Sequence, residues 1–328
     1  MNMDCTGRRD VGWRPLIWTL PIATGCAWVL ATPFAAVGIP ATLVHDDSRV
    51  QQAVELSRER FLAAQKIDRL DVTVLLAAPE GRWLRGSVGG ERPWYPASCV
   101  KLGFAIAATH WCEAHSKGPD CLDASVRPML QDSDNVATGM VVDAITGVTN
   151  GPVKSADFEA WFERRLYSEN LLQSHGLLGG QRLVTKTYPT NSGEMPEDLE
   201  ALALQRHGRN SMTADGSALL MLALVTGEFG ADAADYLRSR LRRPRISPNS
   251  AMGGGFPEGT VFESKIGSAY DTLAEIVHAE LPDGRRIIIA VYSNGRDPEG
   301  PDEQDSTALA GFAALLLEEL GKSRAAHD

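Results

Sequence analysis

The sequence has no spacing suited to holding a metal ion: its seven histidines are scattered, with no His-Glu-x-x-His and no Cys-x-x-Cys, so neither a metal nor any other cofactor is expected. Basic charge is short as well. Lys and Arg number 32 against 42 Asp and Glu, a formal net charge of -10, and no basic stripe of useful length appears, which excludes nucleic acid or an anionic membrane surface as the main partner. The densest basic run, Arg238, Arg240, Arg242, Arg243 and Arg245, reads as a solvated helix end. Internal repeats and low-complexity tracts are absent too. What remains, 44% hydrophobic and 23% charged over 328 residues, is enough to bury a sizeable core.

One absence is local. After Arg8, Arg9 and Arg14 no charged residue occurs from Pro15 to Val44, the layout of a positive leader followed by an apolar export segment. Residues 1–44 are therefore expected to carry the chain out of the cytoplasm, to the periplasm or the outside. Ala36 and Gly38 suit cleavage before Ile39, yet the run is long enough to span a bilayer if uncut, so a cleaved signal and a retained anchor both stand. Outside that segment and Cys5, three cysteines remain. Cys112 and Cys121 flank the turn-rich Ser116-Lys117-Gly118-Pro119 and are expected to pair in an oxidising compartment, leaving Cys99 as a free, buried thiol.

Past the export segment, Asp46-Asp47-Ser48 caps a helix with Val50, Val54 and Phe61 on one face. Asp71–Ala77 and Arg82–Val88 read as a hairpin around Pro79-Glu80-Gly81. Ser98 opens a long Ala-rich apolar run to Trp111, and a second helical stretch leads to Asp132 and continues beyond Asn135. The segment from Gly147 to Asn210 resists assignment. Thr213–Thr226 is a strong helix, Thr260–Lys265, Leu273–Leu281 and Arg286–Tyr292 are strands, and Ser306–Leu320 closes the chain as a helix. Strands at both ends around a helical middle imply an α+β fold: an antiparallel sheet built from both chain ends (45–95 and 250–328) with flanking helices, and an inserted all-α subdomain (98–249). The cleft between the two parts is the natural place for a site.

Three short motifs carry chemistry. Ser98-Cys99-Val100-Lys101 puts a hydroxyl and an amine three apart on one helix face, at a helix start that favours developing negative charge. Ser133-Asp134-Asn135, read as lying inside the second helical stretch, supplies a hydroxyl able to protonate a departing nitrogen and an amide able to hold a carbonyl. Lys265-Ile266-Gly267-Ser268 adds positive field on a strand, with Gly267 letting a substrate lie close.

In this order the three resemble the Ser-x-x-Lys, Ser-Asp-Asn and Lys-Thr-Gly set of class A β-lactamases and penicillin-binding proteins. The resemblance implies that Ser98 attacks an amide carbonyl, that Lys101 belongs to the base network, that Ser133 protonates the leaving nitrogen beside Lys265, that Asn135, Gly267 and Ser268 bind substrate, and that the N–H groups of Ser98 and Ser268 form the oxyanion hole. It implies a monomer acting on a small-molecule or peptide amide. β-Lactam hydrolysis, and with it antibiotic resistance, is the leading activity; a D-alanyl peptidase or esterase, and a penicillin-binding sensor that acylates once and stops, are the alternatives.

The sequence departs from the family in four places. Only 35 positions separate Ser98 from Ser133, fewer than the family has. Ile266 replaces a hydroxyl residue, and Ala269–Leu281 contains no arginine to anchor a substrate carboxylate. The deacylating glutamate, embedded in Glu-x-x-Leu-Asn in the family, falls at Glu197 with Glu200 and Ala201 in place of Leu and Asn; Glu194 is the other candidate. From these changes, slow acylation and a persistent adduct are expected.

Overall fold

In the computed structural model, residues 43–65, 67–155, 157–178, 182–183, 197–294 and 308–325 are described. They contain a six-stranded sheet in the order β1-β3-β2-β6-β5-β4, formed by β1 (Val44–Asp46), β2 (Leu70–Ala77), β3 (Trp83–Val88), β4 (Val261–Ala269), β5 (Thr272–Glu280) and β6 (Arg286–Asn294). All neighbours are antiparallel except β1, which lies parallel to β3 with Val44 opposite Trp83. The first two strands of the hairpin and the last three strands of the chain meet where β2 pairs with β6. This is the α+β sheet drawn from both chain ends that the strand pattern implied. The folded unit reaches back to β1, so Val44, counted with the export segment, belongs to the sheet; the rest of residues 1–44, Leu43 apart, lies outside the described residues.

Both faces of the sheet are covered, which is why β5 and β6 read as nearly continuous apolar runs. On one face Val72, Val74, Val277, Ile287, Ile289 and Val291 pack with Val50, Val54 and Phe61 of α1 (Ser48–Ala64) and Phe312 and Leu316 of the last helix, α10 (Ala308–Ala325). On the other, Leu75, Ala274, Ile276, Ile288 and Tyr292 meet a helical layer. That layer comprises α2 (Lys101–Ala114), α3 (Asp123–Gln131), α4 (Asn135–Thr146), α8 (Ala214–Thr226) and α9 (Ala231–Leu241). Helix starts follow cap chemistry. Asp47 accepts from the N–H groups of Arg49 and Val50 at 2.9 and 3.0 Å, and Thr213 from Gly216 at 3.0 Å, each filling donors a helix cannot satisfy itself.

Beyond α4 come α5 (Phe158–Arg165), α6 (Tyr167–Ser174) and α7 (Leu199–His207). Helices α5 and α7 close a separate small cluster of Phe158, Trp161, Phe162, Leu199, Leu202 and Ala203. Cys112 and Cys121 are joined by a disulfide that clips the short α2–α3 connection, and Cys99 is a buried free thiol. The arginine run is spent internally: Arg238 pairs with Glu263 and Glu280, Arg242 with Glu263, and Arg240 with Asp123. Among the described residues, no single helix is long and apolar enough to cross a membrane.

Candidate active site

The chain approaches Ser98 from a fixed point, Trp94. Trp94 bridges Met212 in antiparallel fashion, donates its indole N–H to buried Asp71 at 2.8 Å, and stacks on Tyr292. Three residues on, the chain turns through Ala97, whose φ of 45° is left-handed. For a residue with a side chain that backbone costs about 1 kcal/mol or more, and such strain gathers at functional sites. The 3-10 turn Ala97–Val100 follows, with Ala97, Cys99 and Val100 buried and Ser98 half-buried. Helix α2 proper begins at Lys101. Ser98 thus sits on a tight turn ahead of the helix rather than in its first turn.

Ser133 is not inside a helix, as the sequence pattern suggested; it stands in the break between α3 and α4 with φ 57°. The cause is Asp134, which adopts an extended backbone and caps α4 by accepting from Ala137 N–H at 2.8 Å. The helical periodicity on either side hides this break, because two helices in sequence read like one.

The break places Ser133 between two lysines. Lys101 Nζ donates to Ser133 Oγ at 3.2 Å, to Ser133 O at 2.5 Å and to Asn135 Oδ1 at 2.8 Å. Lys265 Nζ donates to the same Ser133 Oγ at 3.0 Å and to Ile266 O at 2.7 Å. Both lysines are fully buried. Burial pushes Lys265 down to about 7, helped by the Lys101 charge, and pushes Lys101 down to about 8 against the pull of Asp134. Two amines sharing one oxygen titrate as a pair, and one of them sheds its proton near neutral pH. With both lone pairs of Ser133 Oγ taken by the amines, its own proton is the one left to give.

Strand β4 brings Lys265 in and meets the Ser98 turn at Gly267. A Cβ on Gly267 would lie 2.6 Å from Pro96 O, 2.9 Å from Cys99 N and 3.0 Å from Cys99 Sγ, so the glycine serves contact between strand and turn. Cys99 Sγ also donates to Lys265 O at 3.4 Å, and burial pushes its thiol up to about 12, which makes it a packing group rather than a nucleophile. On the edge of β4 away from β5, Arg243 N donates to Phe262 O. The register with β5 is one-to-one from Val261 to Ala269, so two-residue alternation turns the peptide groups of Ser264, Ile266 and Ser268 outward as well. Ser268 N–H therefore points away from the sheet, and its side chain is exposed.

Glu197 stands on a different element from this cluster. It is exposed just before α7, where its carbonyl accepts from Val153 N–H at 3.2 Å, and α7 belongs to the separate α5 cluster. Glu194 lies outside the described residues. Glu200 is buried and ion-paired to buried Arg165 at 2.9 Å, so it braces α7 against α5. Among the described residues, no group of three or more His, Cys, Asp or Glu is arranged to hold a metal ion.

A profile of the Beta-lactamase enzyme family matches residues 122–320, more than half of the chain. The chain belongs to the beta-lactamase enzyme family. The matched segment contains Ser133, Asn135, Lys265 and Gly267 and begins after Ser98 and Lys101, whose reading rests on the Ser-x-x-Lys motif. Golvesin of Dictyostelium discoideum is 31% identical over 309 residues, 90% of this chain and 53% of Golvesin; the chain thus spans about half the length of this relative. Among solved structures, a beta-lactamase from Sphaerobacter thermophilus DSM 20745 is similar at TM-score 0.56 and 19% identity, covering 84% of this chain and 98% of that one. PBP-A gives 0.58 and 16%, covering 85% and 98%, and TLA-1 extended spectrum beta-lactamase gives 0.61 and 15%, covering 82% and 99%. At these identities the likeness establishes the beta-lactamase fold.

Proposed function

We propose that the protein is a serine acyl hydrolase that opens an amide through an acyl-Ser98 intermediate, with β-lactams as the leading substrate class. The observation that carries this reading is the single hydroxyl of Ser133 held by both Lys101 and Lys265 at 3.2 and 3.0 Å, with Lys101 three residues after a half-buried serine on a strained turn. Ser98 Oγ attacks the carbonyl carbon while its proton passes to the neutral form of Lys101. The carbonyl oxygen takes up charge against the N–H groups of Ser98 and Ser268. The C–N bond breaks, and the nitrogen takes the Ser133 hydroxyl proton, which the lysine pair replaces. A PBP-A variant has been crystallised as an acyl-enzyme complex with penicillin G, the adduct this chemistry would form here.

Deacylation needs a water set between a carboxylate and the ester carbon. Glu197 is the candidate. Its exposure, and the anchoring of α7 in a separate cluster, favour a long-lived adduct, which keeps the sensor that acylates once and stops as a second reading. The charge-free segment from Pro15 to Val44 and the Cys112–Cys121 disulfide support a location outside the cytoplasm. Time-resolved intact-mass measurement with a penicillin, a D-alanyl peptide and a simple ester separates the readings: turnover of one of them without a persistent mass shift indicates a hydrolase, and a stable adduct without turnover indicates a sensor.

A further inference from the structure

The cleft end of β4 carries a cation that the chemistry above does not use. Tyr270 opens the β4–β5 hairpin turn with a left-handed φ of 55° and is 53% exposed. Its ring meets Tyr95, three residues before Ser98, edge-on at 5.6 Å. Arg209 lies over both, 5.5 Å from the Tyr95 ring and 4.8 Å from the Tyr270 ring, and donates to Tyr270 Oη at 2.9 Å. Because the Trp94–Met212 bridge is antiparallel, the residues before Met212 travel in the direction of the residues after Trp94, which brings Arg209 to Tyr95.

Arg209 is exposed, yet among the described residues it has no carboxylate partner, not even neighbouring Asp271. In a chain of net charge -10, whose Arg238, Arg240 and Arg242 are each neutralised, that is a reserved charge. One hydrogen bond to Tyr270 leaves four of its five N–H groups for another acceptor, and the two rings hold the guanidinium plane while leaving its charge intact.

The side of the substrate that Arg209 faces follows from β4. Ser133, the group set to protonate the leaving nitrogen, is bonded to Lys265; Tyr270 lies five residues further along, roughly 16 Å at strand spacing. The leaving group therefore sits toward Lys265, and the acyl part retained on Ser98 extends toward Tyr270. Resting on the serine-hydrolase reading of the site, we infer that Arg209, clamped by Tyr95 and Tyr270, recognises a carboxylate on the acyl portion of the substrate. The substrate class is thus an amide whose acyl half is anionic.

Benzylpenicillin and carbenicillin differ only by a carboxylate on the acyl side chain and serve as the probes. Their non-covalent Kd values are measured by calorimetry in Ser98→Ala, Ser98→Ala/Arg209→Gln and Ser98→Ala/Tyr270→Phe. Carbenicillin should bind about fivefold tighter than benzylpenicillin in the first, as expected for a partly exposed ion pair, with equal affinities in the second and an intermediate ratio in the third. The preference should also shrink between 50 and 500 mM salt. A ratio that Arg209→Gln leaves unchanged, a preference for benzylpenicillin, or failure of both to bind overturns the assignment. Intact mass of the parent with the same two compounds tests the underlying reading separately. A ratio that collapses as described while the parent never gains mass would remove the nucleophile and leave Arg209 in place; mass gain with an unmoved ratio would do the reverse.

Discussion

Replacing Gly267 with alanine tests how the strand and the nucleophile turn are held together. The added Cβ would lie 2.6 Å from Pro96 O and 2.9 Å from Cys99 N. Both are backbone atoms, so no side-chain rotation relieves the clash, and β4 has no slack because its register with β5 is one-to-one to its end. An ordinary contact at such atoms needs the strand and turn to part by somewhere near 0.5–1 Å. Overpacking of this kind costs about 1–3 kcal/mol. A displacement of about 1 Å between reacting groups costs on the order of 10²-fold in rate. Gly267→Ala should therefore lower the urea midpoint and slow acylation of Ser98 by roughly 10²-fold, measured by stopped-flow under conditions where the variant is folded. Gly254→Ala is the control: its Cβ would meet only Ala310 Cβ at 3.4 Å, and stability should stay within about 0.5 kcal/mol. Gly267→Ala with parental stability and a parental acylation rate would refute the reasoning, and a loss of stability alone would limit Gly267 to packing.

Three other perturbations have defined signs. Lys265 falls from its ordinary 10.5 to about 7 in the folded protein, so between those values the unfolded chain binds more protons and stability rises with pH; Lys265→Met should flatten that rise, so that its stability relative to the parent is greater at pH 6 than at pH 9 by about 3 kcal/mol, and urea titrations at pH 6 and 9 that show no such difference contradict the buried-amine account. Replacing Cys112 and Cys121 by serine opens a loop spanning a sequence separation of 9 and should cost roughly 3 kcal/mol; thermal unfolding within a degree of the parent would deny the disulfide a stabilising role. Glu197→Gln should slow whatever deacylation of a penicillin adduct the parent shows by tenfold or more; an unchanged rate by time-resolved mass spectrometry removes Glu197 from the mechanism, and rapid parental turnover refutes the persistent adduct.

Much of this was readable from local chemistry. Helix α1 is announced by Asp47 and by Val50, Val54 and Phe61 on one face, and β5 and β6 by apolar runs that a sheet covered on both faces requires. The three motifs were legible as residue types in order. Their geometry was less so. The break at Ser133 depends on Asp134 choosing to cap α4, a competition that helical periodicity does not register. The role of Gly267 depends on how near Pro96 comes, across 171 positions of chain (267 − 96), and no local pattern encodes that distance. Arg209 carries no local signal for the same reason: its partners Tyr95 and Tyr270 are brought to it by a bridge at Trp94 and by a hairpin turn. Glu197 precedes α7, and no local pattern there announces that α7 packs in a cluster with α5.

The most direct test of the central claim is intact-mass spectrometry of the parent and of Ser98→Ala after exposure to a penicillin, followed by peptide mapping. The parent should gain the mass of one intact penicillin, located on the peptide containing Ser98, and Ser98→Ala should gain none. A parent that gains no mass and hydrolyses nothing, or a Ser98→Ala variant labelled as fully as the parent, would contradict Ser98 as the nucleophile.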